Sequence, residues 1–114
     1  ILPENQRQAA CVVVDYGTAT TFDAVTAKGE YLGGAILPGI GISMEALFSR
    51  AALLSQVELR SPEQAIGTNT ADALRSGILF GYAAQTDGMA ARFVGELAER
   101  GADKRAWTAG LSVF

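Results

Sequence analysis

Cys11-Val12-Val13-Val14-Asp15-Tyr16-Gly17-Thr18-Ala19-Thr20-Thr21-Phe22-Asp23 joins an apolar β-branched run to a carboxylate, a glycine and a cluster of hydroxyls. The run is short and β-branched, the composition of a buried strand. A strand that ends in Asp15 and turns through Gly17 admits two readings. In one, Asp and Gly are turn residues of an ordinary hairpin. In the other, Asp15 holds a cation through its hard oxygens, Gly17 lets a phosphate approach the backbone, and the amides and hydroxyls of Thr18, Ala19, Thr20 and Thr21 form an anion nest. The density of hydroxyls and carboxylates between apolar strands favours the second reading.

Working outward, Thr20 to Thr26 reads as a second strand, Lys28-Gly29 as a turn and Glu30 to Leu37 as a third strand. Short connections make the three an antiparallel meander. Pro38-Gly39-Ile40-Gly41 ends the sheet, and a helix is predicted from Ser43 as N-cap, with Met44, Leu47, Phe48, Ala51 and Leu54 on its apolar face. Residues 55 to 68 read as loop around Pro62, with a short strand at Val57 to Leu59. A second helical region begins at Asn69 or Thr70, with Asp72 at the positive end of its dipole. There Ala73, Gly77, Gly81, Ala84 and Gly88 form a face without bulky side chains. Glycine in a helix interior costs roughly 1 kcal/mol relative to alanine, so this face asks for a close neighbour, either another helix of the chain or a second subunit. A kink is expected around Gln85 to Gly88. Met89, Phe93, Val94 and Leu97 continue an apolar stripe, Glu96 and Arg100 are spaced as an exposed pair, and Gly101 stops the helix. A further strand is expected to start between Arg105 and Thr108.

The chain has 114 residues, 49% hydrophobic and 18% charged, which is a folded single domain rather than a disordered segment. With 9 basic and 12 acidic residues, net charge −3 and no basic run, it carries no nucleic-acid footprint. No stretch has the length and apolarity of a membrane span. The lone Cys11 reads as a small core residue in a reducing compartment, which suggests a cytoplasmic protein. The sequence contains no histidine, which excludes a His-based triad or a His metal site within these residues.

Asp15 to Asp23 resembles the second phosphate-binding motif of type III pantothenate kinases, members of the acetate and sugar kinase and actin superfamily. Gly33-Gly34-Ala35-Ile36-Leu37-Pro38-Gly39 resembles the family's Gly-Gly-x-Ile-x-Pro-Gly segment, and Ser43-Met44-Glu45-Ala46-Leu47-Phe48 the helix after it. Ile66-Gly67-Thr68-Asn69-Thr70 resembles its Gly-x-Asn-Thr, and Ser76-Gly77 with Gly81-Tyr82 the next helix. The motifs run in family order from about Cys11 to Gly95.

The resemblance implies an α/β fold: a ribonuclease-H-like, actin-like ATPase lobe over residues 11–114, incomplete at both ends, with 1–10 as a connecting segment. The activity it implies for the whole protein is phosphorylation of pantothenate by ATP, the first step toward coenzyme A. ATP, Mg²⁺ and a monovalent cation (K⁺ or NH₄⁺) are the implied cofactors, and a homodimer the implied assembly. By the same resemblance Asp15 belongs to the cation site, Gly17, Thr18 and Thr20 to the ATP phosphates, and Thr70 to pantothenate. Thr70 also reads as a routine N-cap, and Asp23 as either a second acidic ligand or a strand-end residue. Gly33 and Gly34 are expected to pack backbone near the nucleotide cleft. The catalytic residue is unknown within these residues, because the family's proton-accepting aspartate is expected upstream of residue 1; the fragment alone is therefore expected to be inactive. Where the family has Thr-Gly-Gly this chain has Thr108-Ala109-Gly110, whose extra methyl is expected to crowd adenosine. Another actin-like kinase acting on a sugar, or a catalytically inactive remnant serving as a binding module, are the alternatives.

Overall fold

The computed structural model describes residues 10–50 and 57–101, together with the backbone of 108–113. Strands β1 (Cys11–Tyr16), β2 (Ala19–Val25) and β3 (Tyr31–Pro38) form the expected antiparallel meander. A fourth strand, β4 (Thr108–Val113), pairs with β1 in parallel, so the sheet order is β3-β2-β1-β4. The helices fill the connection between β3 and β4: α1 (Ile40–Arg50), α2 (Thr70–Arg75), a π-helical segment (Ser76–Phe80) and α3 (Gly81–Glu99). A parallel neighbour needs such a crossover, whereas β1 to β3 need only turns.

Side chains alternate along the strands, and the register fixes which ones share a face. The pairs Val12↔Ala24, Val14↔Phe22 and Tyr16↔Thr20 lie on the face covered by α3. There Val12, Val14, Phe22, Ala24 and Leu97 are buried, with Met89 and Phe93 packed against them. The rings of Phe22 and Phe93 sit 5.8 Å apart at 48°, a tilted geometry that aromatic pairs favour. Cys11, Val13 and Asp15 point to the opposite face.

Three sequence expectations are corrected. The first helix starts at Ile40, not Ser43: the Gly39 carbonyl accepts the Ser43 amide at 3.0 Å, and the Ser43 hydroxyl is engaged with Tyr82. Val57 to Leu59 is not a strand. The expected kink at Gln85 to Gly88 is absent; α3 runs through it, and the irregularity is the π-helical segment one to two turns earlier. Gly33 and Gly34 lie near the end of β2 remote from the Gly17 turn, opposite Ala24 and Asp23. Gly33, at φ 122°, forms the bulge that shifts the β2–β3 register, while a Cβ on Gly34 would overlap the Phe22 carbonyl.

Helix α3 ends as the sequence predicts, with Gly101 at φ 93° and an exposed Arg100–Glu96 pair at 3.6 Å. Ala51, Leu54, residues 1–9 of the expected connecting segment and the side chain of Ala109 lie outside the described residues. Among those described, no helix is long and apolar enough to cross a membrane.

Candidate functional site

The β1–β2 turn is built from both its ends. The Gly17 amide donates to the Ala19 carbonyl at 3.0 Å, and the Thr18 carbonyl accepts from the Gly39 amide at 3.1 Å. Strand β2 is flanked on both sides, so the amides of Thr20 and Thr21 serve the sheet. Of the groups in the expected anion nest, the amide and hydroxyl of the exposed Thr18 have no partner among the described residues.

Asp15 is the last residue but one of β1, and one of its oxygens, Oδ1, is buried with no hydrogen-bond partner among the described residues. Leaving a buried carboxylate oxygen unpaired is expensive, so this atom is suited to a cation or a donor from outside the described residues. The carboxylate leans over the turn: Oδ1 lies 3.8 Å from where a Cβ on Gly17 would sit. Gly17 has no positive φ, and that Cβ would make only ordinary contacts. Neither backbone conformation nor packing within the described residues requires glycine there. A ligand approaching the backbone would.

Thr20 is placed differently from Gly17 and Thr18. It is only 1% exposed, on the face it shares with Phe22 and Tyr16, so its hydroxyl points into the interior. The alternation rule that identified β2 as a strand also predicts this. Asp23 stands mid-strand on the other face, and its Oδ1 accepts the Tyr31 hydroxyl at 3.1 Å. That bond pushes the Tyr31 phenol up, because ionising it would remove the donor and set two negative charges together.

Thr70 is exposed at the start of α2 but is not its cap. Asn69 takes that role, its side chain accepting the Asp72 amide at 2.8 Å. The Asn69 amide group and then the Arg75 guanidinium hold the Asp72 carboxyl below the usual carboxylate range. The preceding loop is tied to this helix start: Arg75 donates to the Glu58 carbonyl at 2.8 Å, and Ser76 to the Ala65 carbonyl at 2.5 Å. A cavity of about 550 Å³ lies there, with Arg60, Thr68, Asp72 and Arg75 among its lining. Thr70 to Tyr82 is roughly 18 Å along a helical axis at 1.5 Å per residue, and no hydrogen bond among the described residues links Thr70 to Asp15, Gly17 or Thr18.

Sequence reasoning passed over three residues that shape the turn. Gly39 is buried against it, and a Cβ there would overlap the Thr18 carbonyl and lie 2.6 Å from that of Gly17. The Tyr82 hydroxyl, from α3, meets the Ser43 hydroxyl and the carbonyls of Pro38 and Gly39, the latter two at 3.3 Å each. Thr86 donates to the Tyr82 carbonyl at 3.0 Å and is 2.5 Å from the Tyr16 hydroxyl. With the Thr86 proton so used, Tyr16 is the donor to it. The only local signal for these links was the polar pair Tyr82 and Thr86 interrupting an otherwise apolar stripe.

Among the described residues no group of three acidic, Cys or His side chains could enclose a metal ion.

A family model, that of type III pantothenate kinase, matches residues 3–92. The type III pantothenate kinase of Saccharopolyspora erythraea is 60% identical over 87 residues, covering 76% of this chain and 33% of its own. That of Koribacter versatilis is 53% identical over 102 residues, covering 90% and 36%. That of Desulforapulum autotrophicum is 50% identical over 108 residues, covering 94% and 40%. The chain spans between a third and two-fifths of the length of these curated relatives.

Proposed function

The chain belongs to the type III pantothenate kinase family, and we propose that it is the part of such an enzyme that holds the phosphates of ATP while pantothenate is phosphorylated to phosphopantothenate. The observation that carries this reading is the buried, unpartnered Asp15 oxygen beside a turn whose glycine nothing in the described residues demands. Phosphoryl transfer needs little covalent chemistry from protein; it needs charge neutralised and reactants aligned. The Thr18 amide and hydroxyl are free to donate to phosphate oxygens, and Gly17 keeps the approach clear. Thr20, interior as it is, supports the turn from beneath rather than touching phosphate. Thr70 is the proposed pantothenate contact. The proton acceptor is assigned to an aspartate upstream of residue 1, as the family resemblance implies.

The residues fit a monovalent cation in part: Asp15 Oδ1 would be one ligand to K⁺ or NH₄⁺, which when bound would offset phosphate charge. Mg²⁺ typically takes one or two carboxylates with substrate phosphates and waters, so the lack of an acidic cluster among the described residues is compatible with its arriving on ATP. The ribonuclease-H-like assignment is supported by the order β3-β2-β1-β4 with three antiparallel strands and a parallel fourth. A homodimer is the proposed assembly and the cytoplasm the proposed compartment. A sugar kinase is set aside because the three curated relatives named above carry the pantothenate kinase name.

The test is a product assay on the full-length protein with ATP and pantothenate. Phosphopantothenate formation is expected; phosphorylation of a sugar without turnover of pantothenate would reject the assignment.

A further inference from the structure

Two links from one helix converge on the two-residue Gly17–Thr18 turn between β1 and β2. On one side Tyr16, the residue before Gly17, donates to Thr86 at 2.5 Å. On the other, Gly39 donates to the Thr18 carbonyl at 3.1 Å, and the Gly39 carbonyl in turn faces the Tyr82 hydroxyl at 3.3 Å, with Ser43 completing the cluster. Tyr82 and Thr86 are one helical turn apart, and Thr86 donates to the Tyr82 carbonyl at 3.0 Å. Holding α3 on the sheet does not require these bonds, because Met89, Phe93 and Leu97 already pack against the core. Their common effect is local. They draw the Thr18 carbonyl inward onto Gly39 and leave its amide and hydroxyl facing out.

We propose that Tyr82 is a positioning residue for ATP, fixing the shape of the Gly17–Thr18 turn through Gly39 while Tyr16 fixes its other end. Tyr82 touches no reacting atom; it acts through the backbone of Gly39. The inference rests on the proposed phosphate role of the turn. It adds that α3, whose continuous helical path begins at the pantothenate-side Thr70, also holds the nucleotide side.

The experiment uses the full-length enzyme and Tyr82→Phe, which keeps the ring and removes the hydroxyl, with Tyr16→Phe beside it. Each variant is measured for both KM values, for melting temperature and for amide exchange in the peptide spanning residues 16–20. Loss of one partly buried hydrogen bond predicts an ATP KM raised about threefold to tenfold, a pantothenate KM changed by less than about twofold, and faster exchange in the turn. Unchanged ATP KM, unchanged turn exchange, or both KM values rising together in step with lost stability would each overturn the proposal. If wild-type enzyme fails to phosphorylate pantothenate, the functional reading falls, while the exchange data still decide whether Tyr82 holds the turn.

Discussion

Gly39 and Gly17 at the β1–β2 turn, and Gly34 farther along β3, differ in what a methyl would meet, and substitution separates them. A methyl on Gly39 meets backbone, the Thr18 and Gly17 carbonyls, which cannot move without breaking the sheet. A methyl on Gly34 meets the Phe22 carbonyl in the same way. Gly39→Ala and Gly34→Ala are therefore expected to lower the melting temperature by several degrees, the scale of about 1–3 kcal/mol for overpacking. Gly17→Ala finds only ordinary contacts and should melt like wild type while losing affinity for ATP. Equal melting losses in all three variants would contradict this account. Asp15→Asn is expected to weaken activation by potassium and raise the ATP requirement, measured as rate against K⁺ concentration; an unaltered K⁺ dependence would remove the cation from this residue. The turn that groups Asp15, Gly17 and Thr18 was legible because these residues lie within one four-residue stretch. Thr20 was misplaced because hydroxyl content outweighed the period-two alternation that buries it. Gly39 and Tyr82 reach the turn from 21 and 64 residues beyond Thr18, a proximity that local pattern does not encode.

At the level of elements, the meander was readable because β-branched runs, turn residues and alternation agree; its second and third strands simply lie one residue off the expected bounds. The first helix was misread for a specific reason. Ser43 has the side chain of a cap, but its hydroxyl serves a tertiary bond to Tyr82, and Gly39 takes the cap position. The π-helical segment left no mark in composition, since it depends on how hydrogen bonds shift around Ser76, itself anchored to Ala65. At the start of α2, Asn69→Ala removes the acceptor for the Asp72 amide and should cost about 1 kcal/mol in a denaturant melt. It also removes the main partner holding the Asp72 carboxyl low. A carboxylate with a depressed folded pKa contributes stability above its unfolded pKa of about 4 and loses it as pH falls through the folded value. Stability measured against pH should thus fall less steeply below about pH 4 in Asn69→Ala than in wild type. Parallel curves would show that the Asn69–Asp72 bond does not set this titration.

For the whole molecule, the small-residue face of the long helix has a clear consequence. The sequence suggests that Gly77, Gly81 and Gly88 admit a close neighbour, yet a Cβ at each would meet nothing within 4 Å among the described residues. The neighbour is thus not a helix in the described part of this chain, and the proposed second subunit is the reading put to the test. Gly81→Leu is expected to keep the fold and convert dimer to monomer, read by light scattering of the full-length protein; a dimer of undiminished affinity would exclude this face. Fold and site meet at the β1–β2 turn, where strand order, the Gly39 contact and the α3 anchors all act on a few backbone atoms. The most direct measurement is a crystal structure of the full-length protein with a non-hydrolysable ATP analogue. The phosphates are expected against the Thr18 amide and hydroxyl, with Asp15 turned toward a bound cation or its water. A triphosphate bound elsewhere, with the Gly17–Thr18 turn left bare, would contradict the account.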